Sequence, residues 1–93
     1  MLTLGEINEA MSDLDDWSLE TSSIVKTFSF SNFKEALEFV NKVGEVAEKI
    51  EHHPDVMINF NQVRLSLMTH SENSLTRKDF KLAKEVDKIE NVN

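Results

Sequence analysis

The most regular alternation in the chain runs from Val63 to His70. Val63, Leu65, Leu67 and Thr69 interleave with Arg64, Ser66, Met68 and His70. That period of two predicts a strand whose apolar face excludes His70. Just upstream, Val56, Ile58 and Phe60 alternate with Met57 and Asn59 and predict a second strand. Asn61-Gln62 then reads as a two-residue hairpin connection, although it lacks the favoured glycine. Two further strands are predicted nearer the N-terminus. One covers Trp17-Ser18-Leu19-Glu20, ahead of the polar turn Thr21-Ser22-Ser23. The other covers residues 24–30, with Ile24, Phe28 and Phe30 on one face, Val25 and Thr27 on the other, and Lys26 interrupting the apolar row.

Between these hairpins the period changes. Phe33, Ala36, Leu37, Val40, Val43, Gly44, Ala47 and Ile50 recur at helical spacing, behind Ser31 or Asn32 as a cap and with Glu35 in the first turn. Phe39 and Val46 widen this stripe beyond what packing on one sheet face requires. A second buried contact is expected there, with the N-terminal helix or with another subunit. Gly44 costs roughly 1 kcal/mol against alanine inside a helix, which a close helix approach would rationalise. Capping boxes mark two more helices. Thr3-x-x-Glu6 opens a short one with Leu4, Ile7, Ala10 and Met11 as its apolar side, ending near Ser12. Thr76-x-x-Asp79 opens the last, which should bury Phe80, Ala83, Val86 and Ile89, run to about Glu90 and fray at Asn91, Val92 and Asn93. The order α-β-β-α-β-β-α predicts an α+β fold: a single domain over residues 1–93, with a four-stranded antiparallel sheet and three helices on one face.

Composition narrows the function. The 93 residues carry a formal charge of -7, which repels phosphate backbones and argues against nucleic acid as a direct partner. There is no cysteine, which suits a reducing compartment. No apolar run approaches the ~20 residues of a membrane span. The N-terminus lacks the basic and apolar regions of a secretory signal, so a cytoplasmic location without membrane contact is expected. The acidic run Asp13, Asp15 and Asp16 reads as a solvated loop.

The candidate chemistry concentrates in Glu48-Lys49-Ile50-Glu51-His52-His53-Pro54. Pro54 disfavours αR at His53 and should end the helix there. Glu48 lies four residues before His52, so the two share a helix face and the carboxylate can orient the imidazole. Adjacent histidines diverge by about 100° around a helix, so His52 and His53 should do different jobs. The third histidine, His70, closes a strand, and Asp79 opens a helix just beyond it. Each residue has a plain structural reading when taken singly. A helix-end histidine is often a cap, Glu48 with His52 is an ordinary surface pair worth about 0.2–0.5 kcal/mol, and Asp79 is a helix-start carboxylate. Three histidines could also bind zinc, but the diverging His52/His53 pair lacks ligand spacing, so no metal is expected.

Taken together, Glu48-x3-His52-His53-Pro54, Phe60, His70 and Asp79 resemble the signature of the pterin-4a-carbinolamine dehydratase family. Trp17, the run Phe28-Ser29-Phe30-Ser31-Asn32-Phe33, Thr69-His70, and Leu75-Thr76-Arg77-Lys78-Asp79 resemble further family segments, so the likeness covers most of the chain. Two positions depart from it. Phe60 stands where tyrosine or tryptophan is usual, and Glu72-Asn73-Ser74 replaces a loop that usually carries glycine, with Asn73 tolerant of αL.

The resemblance implies a four-stranded antiparallel sheet with three helices, and dehydration of a 4a-hydroxytetrahydropterin substrate in tetrahydrobiopterin recycling, with no cofactor. It implies His52, His53 and His70 as the catalytic set, His52 and His70 as acid and base and His53 binding or orienting the pterin. Glu48, Glu51, Pro54, Thr69 and Asp79 would support them. It also implies a homodimer or homotetramer. Two alternatives stay open. One is a non-enzymatic interaction protein, like the dimerisation cofactors and assembly factors among the family's relatives. The other is a dehydratase-like protein acting on a different pterin.

Overall fold

A computed structural model describes the backbone of residues 1–92 and the side chains of residues 1–89. Its elements, in chain order, are α1 (Leu4–Met11), β1 (Ser18–Glu20), β2 (Ser23–Ser29), α2 (Phe33–Ile50), β3 (Asp55–Asn59), β4 (Gln62–Leu67), a 3₁₀ turn (His70–Glu72) and α3 (Arg77–Val92). The expected order of helices and strands is therefore the observed one. The strands form one antiparallel sheet in the order β1-β2-β4-β3, which leaves β1 and β3 as edges.

The core lies between the helices and one sheet face. Ile24 and Phe28 of β2 and Val63, Leu65 and Leu67 of β4 are buried there. They meet Ala36, Phe39, Val43 and Ala47 of α2, and Phe80, Leu82, Ala83 and Val86 of α3. Thr27 and Ser29 alternate with the buried residues of β2 and are exposed, as a half-buried sheet requires. Phe39 is fully buried within the chain, its ring 4.7 Å from that of Phe28 and 5.0 Å from that of Phe30. The wide stripe of α2 is thus used by the sheet, and Phe39 carries no case for a second subunit. Rotating α2 to seat Phe39 turns Phe33 and Leu37 outward, both of which were expected inside. Among the described residues, Gly44 likewise has no atom from beyond its own helix backbone and chain neighbours within 4 Å of where a Cβ would stand, so the close helix approach expected there is not found among them.

Local capping agrees with the sequence. Thr3 and Glu6 form a complete capping box at α1, and the Asn32 side chain accepts from the Glu35 N–H at 2.8 Å. Leu4, however, faces solvent, and α1 packs through Ile7, Ala10 and Met11 with Leu2 beside it. Helix α3 runs to Val92, two residues past its expected end. The fraying expected at Asn93 lies outside the described residues.

Lys26 interrupts the apolar row of β2 without leaving the core. Its ammonium lies 3.0 Å from Asp87 Oδ1 of α3 and 4.9 Å from the Phe28 ring centroid. The Trp17 indole N–H donates to the same carboxylate at 3.0 Å. A buried cation is tolerable here because it is paired with a carboxylate. This joint ties the entry to β1, β2 and the far half of α3 together.

Two turns depart from expectation. Asn59 pairs with Gln62, so the hairpin loop is Phe60-Asn61 and Gln62 belongs to β4. Phe60 takes the positive φ of that loop, 56°, where glycine would be usual. Asn61 is clipped in place: its N–H₂ donates to the Phe30 carbonyl and its own carbonyl accepts from the Phe30 N–H. Strand β4 also stops earlier than its alternation predicts. The pairing with β2 ends at Leu67, and beyond it lies only an isolated bridge, Thr69 to Ser74. Among the described residues, no helix is long and apolar enough to cross a membrane.

Candidate functional site

The site begins where α2 ends. Glu51 adopts αL, at φ 60°, a conformation that costs a residue with a Cβ about 1–2 kcal/mol. Its N–H donates to the Glu48 carbonyl, and the His52 N–H donates to the Ala47 carbonyl at 3.1 Å. This is a Schellman closure. It stops the helix three residues before Pro54, so the proline does not end α2 but leads the chain into β3. Glu51 itself is exposed, and its part in the site is the turn its backbone makes.

That turn overrules the helical spacing. His52 is swung off the helix face it would share with Glu48 and points inward to α3. Its Nε2 lies 2.5 Å from Asp79 Oδ1. His53 folds back over the last turn, and its Nε2 bonds Glu48 Oε2 instead. The two adjacent imidazoles therefore differ in setting, His52 nearly enclosed and His53 open to solvent.

Asp79 is the anchor. It is fully buried in the first turn of α3, and both of its oxygens are occupied. Oδ1 meets His52. Oδ2 accepts from the Thr69 hydroxyl at 2.9 Å and from the Thr76 N–H at 3.0 Å. The last bond is half of the expected capping box. The Thr76 hydroxyl meanwhile serves the Lys78 N–H and lies 2.7 Å from the Thr69 hydroxyl. These hydrogen bonds satisfy and orient the buried carboxylate, and it in turn fixes the ring of His52.

His70 is reached from the same network. Thr69, bonded to Asp79, directly precedes it and bridges to Ser74. His70 opens the 3₁₀ turn rather than closing a strand, and Asn73 ends that turn in αL at φ 50°. Asn73 thus fills the place of the missing glycine. The His70 ring is exposed, with Nε2 3.9 Å from Asp55 Oδ2 at the start of β3. A circuit closes: His52 to Asp79, Asp79 to Thr69, along the chain to His70, across to Asp55, and back through Pro54 and His53. All eight expected residues lie on or beside this circuit. Spacing along the chain does not point to Asp55, because its approach to His70 is made across the fold.

The arrangement offers two exposed imidazoles, His53 and His70, and one enclosed imidazole whose Nε2 is committed to a carboxylate. Such a set can give and take protons at neutral pH. Among the described residues, no three His, Asp or Glu side chains cluster as a metal cage would. Phe60 stands exposed at the hairpin tip. A cleft of about 420 Å³ between α1 and α3 contains none of the histidines and is lined by facing acids and bases, among them Glu6, Asp13, Arg77 and Lys84. Arg77 bonds Glu6 and Lys84 approaches Asp13, so these charges are already mutually satisfied. The histidine circuit is the stronger candidate.

Comparison with known proteins agrees over most of the chain. The family model described as pterin 4 alpha carbinolamine dehydratase matches residues 1–89. A protein of Chloroflexus aurantiacus, provisionally named pterin-4-alpha-carbinolamine dehydratase, is 48% identical and covers 95% of each chain. One of Sulfolobus acidocaldarius with the same provisional name is 45% identical, over 91% of this chain and 93% of the relative. Among solved structures, a transcriptional coactivator/pterin dehydratase from Brucella melitensis superposes with a TM-score of 0.90 at 38% identity, over 95% of this chain and 96% of that one. A pterin dehydratase-like protein identified as a RuBisCO assembly factor in the alpha-carboxysome shares the fold, with a TM-score of 0.64 at 16% identity over 78% of this chain and 84% of that one.

Proposed function

The chain belongs to the pterin 4 alpha carbinolamine dehydratase family, and from that premise we propose that it dehydrates a 4a-hydroxytetrahydropterin to the quinonoid dihydropterin, as a step of tetrahydropterin recycling. The observation that carries this reading is the circuit through His52, Asp79, Thr69 and His70, which supplies proton-transfer groups on two elements held by one buried carboxylate.

The chemistry asks for little else. The C4a–O bond breaks, and its oxygen must be protonated to leave as water. The N5 proton must go to a base as the C4a–N5 double bond forms. Correctly placed acid and base groups contribute about 10²–10⁴-fold to such a step. His52 and His70 are assigned these roles, and His53, open to solvent and paired with Glu48, is assigned to binding and orienting the pterin. Asp79 holds His52, and Thr69 joins His70 to the same anchor. No metal or cofactor enters this scheme.

Stopped-flow absorbance of 4a-hydroxytetrahydropterin dehydration, with and without the protein, is the direct test. Acceleration that survives dialysis against a chelator supports the reading. A rate equal to the spontaneous one removes it, and activity restored only by added zinc moves the site into the metal class.

Assembly belongs to the same proposal. Phe33, Leu37 and Gly44 lie within about 40° of one another around α2, the two side chains exposed and the glycine open. An apolar stripe with a gap beside it is suited to a neighbouring helix, and we assign it to a homodimer or homotetramer contact. A second reading, a binding-only role, draws on the coactivator half of the description of the Brucella melitensis protein. Such a protein would use this stripe and leave the histidines idle. Action on a different pterin would retain the histidines but change the preferred substrate in the same assay.

A further inference from the structure

Each of the three histidines faces a carboxylate on a different element, and the three pairs are not alike. Asp79 and Glu48 bond their imidazoles directly. Asp55 stands off from His70 at 3.9 Å, too far for a hydrogen bond. Neither side chain is buried, and the chain path does not force them together. Asp55 is nonetheless not free to wander. Pro54 fixes the backbone before it, and its pairing with Ser66 of β4 fixes its register at the start of the edge strand.

We propose that Asp55 is a positioning residue for His70, an anion set to act on the imidazolium rather than on the neutral ring. A neutral imidazole at this separation gains little from a carboxylate. A protonated one is attracted, and can close the gap to a charge-assisted hydrogen bond. The interaction therefore grows as His70 takes up a proton during the reaction, which is the condition for assisting turnover rather than ground-state binding. The four residues from His52 to Asp55 then serve the site twice, giving two imidazoles and the counter-charge of the third. This inference rests on the dehydratase reading for its kinetic consequence. The pairing itself does not.

The experiment has two arms. In the first, Asp55→Asn, Asp55→Glu and the parent are compared in the stopped-flow assay. The expected result is a fall in kcat of about fivefold for Asp55→Asn, the scale of an exposed ion pair, with KM unchanged and with kcat recovered in Asp55→Glu. In the second, the imidazole nitrogens of the three histidines are followed by nitrogen-15 NMR in the absence of pterin. Asp55→Asn should move the His70 resonances in the protonated protein and leave those of His52 in place. Equal kcat in parent and Asp55→Asn, or His70 resonances that ignore the substitution, overturns the proposal. If the parent itself fails to accelerate dehydration, the dehydratase reading falls while the NMR arm still decides the pairing.

Discussion

His52 Nε2 lies 2.5 Å from Asp79 Oδ1, although 27 residues separate the two and Glu48 was the partner expected from helical spacing. The pair joins the end of α2 to the start of α3. Asp79 also takes the Thr69 hydroxyl and the Thr76 N–H, so one carboxylate holds two helices and the approach to His70.

Removing that carboxylate should cost both stability and turnover. Asp79→Ala leaves three donors without their acceptor inside the protein, at about 1–3 kcal/mol for each one that stays buried and unpaired. Asp79→Asn keeps the shape but sets an N–H₂ against groups that already donate, for a loss of about 1–3 kcal/mol. Urea unfolding of the two variants measures this. An Asp79→Ala protein as stable as its parent would mean that the carboxylate anchors nothing.

The histidines should separate by kinetic parameter. His52→Ala and His70→Ala are each expected to lower kcat, by up to the roughly 10²–10⁴-fold that acid–base catalysis supplies, while circular dichroism reports an intact fold. His53→Ala should raise KM more than it lowers kcat, as loss of a binding contact does. Full activity in a His52→Ala/His70→Ala double variant would sink the assignment.

Substitutions at two neighbouring positions of α2 should have opposite consequences. Leu37→Glu places a charge on the exposed stripe and should dissociate the oligomer into folded 10.7 kDa monomers in sedimentation equilibrium. Phe39→Glu should instead unfold the chain. It removes a core ring whose loss alone is worth about 3–5 kcal/mol and buries an unpaired carboxylate. A parent that is already monomeric at micromolar concentration would leave Leu37 and Phe33 as ordinary surface residues.

Acid should release the fastening of α1 at Glu6. The Thr3 backbone N–H, then the Thr3 side chain, and then Arg77 hold the Glu6 carboxyl below the ordinary glutamate range, against a desolvation effect that raises it. A depressed folded value means that the stabilisation is present above the unfolded pKa and is lost as the pH falls through the folded one. Glu6→Gln should therefore be less stable than the parent at neutral pH, and the gap should close on acidification below the ordinary range. Urea midpoints measured across that interval test it, and a gap independent of pH would rule it out.

The features legible in the sequence are those decided by a few consecutive residues or by a sustained period. Thr3 with Glu6, Asn32 with Glu35, and the alternation through Val63, Leu65 and Leu67 predict what the structure contains. The features that were not legible depend on backbone conformations that the residues do not favour. Glu51 and Phe60 both hold positive φ without being glycine, and each redirects the chain beyond it. Glu51 sends His52 to Asp79. Phe60 moves the hairpin loop back by one residue. The outward turn of Phe33 and Leu37 is likewise a choice among apolar residues made by the sheet, because Phe39 fits between Phe28 and Phe30 and the helix can present only one face there.

The joint at Lys26 has a practical consequence for anyone monitoring this protein by light. Trp17 is the only tryptophan in the chain, and its indole N–H is bound to Asp87, the carboxylate that also takes Lys26. Its emission is therefore a gauge of whether the far half of α3 is seated on β2. Fluorescence melts will time the undocking of that helix and say little about the histidines, which sit at its other end.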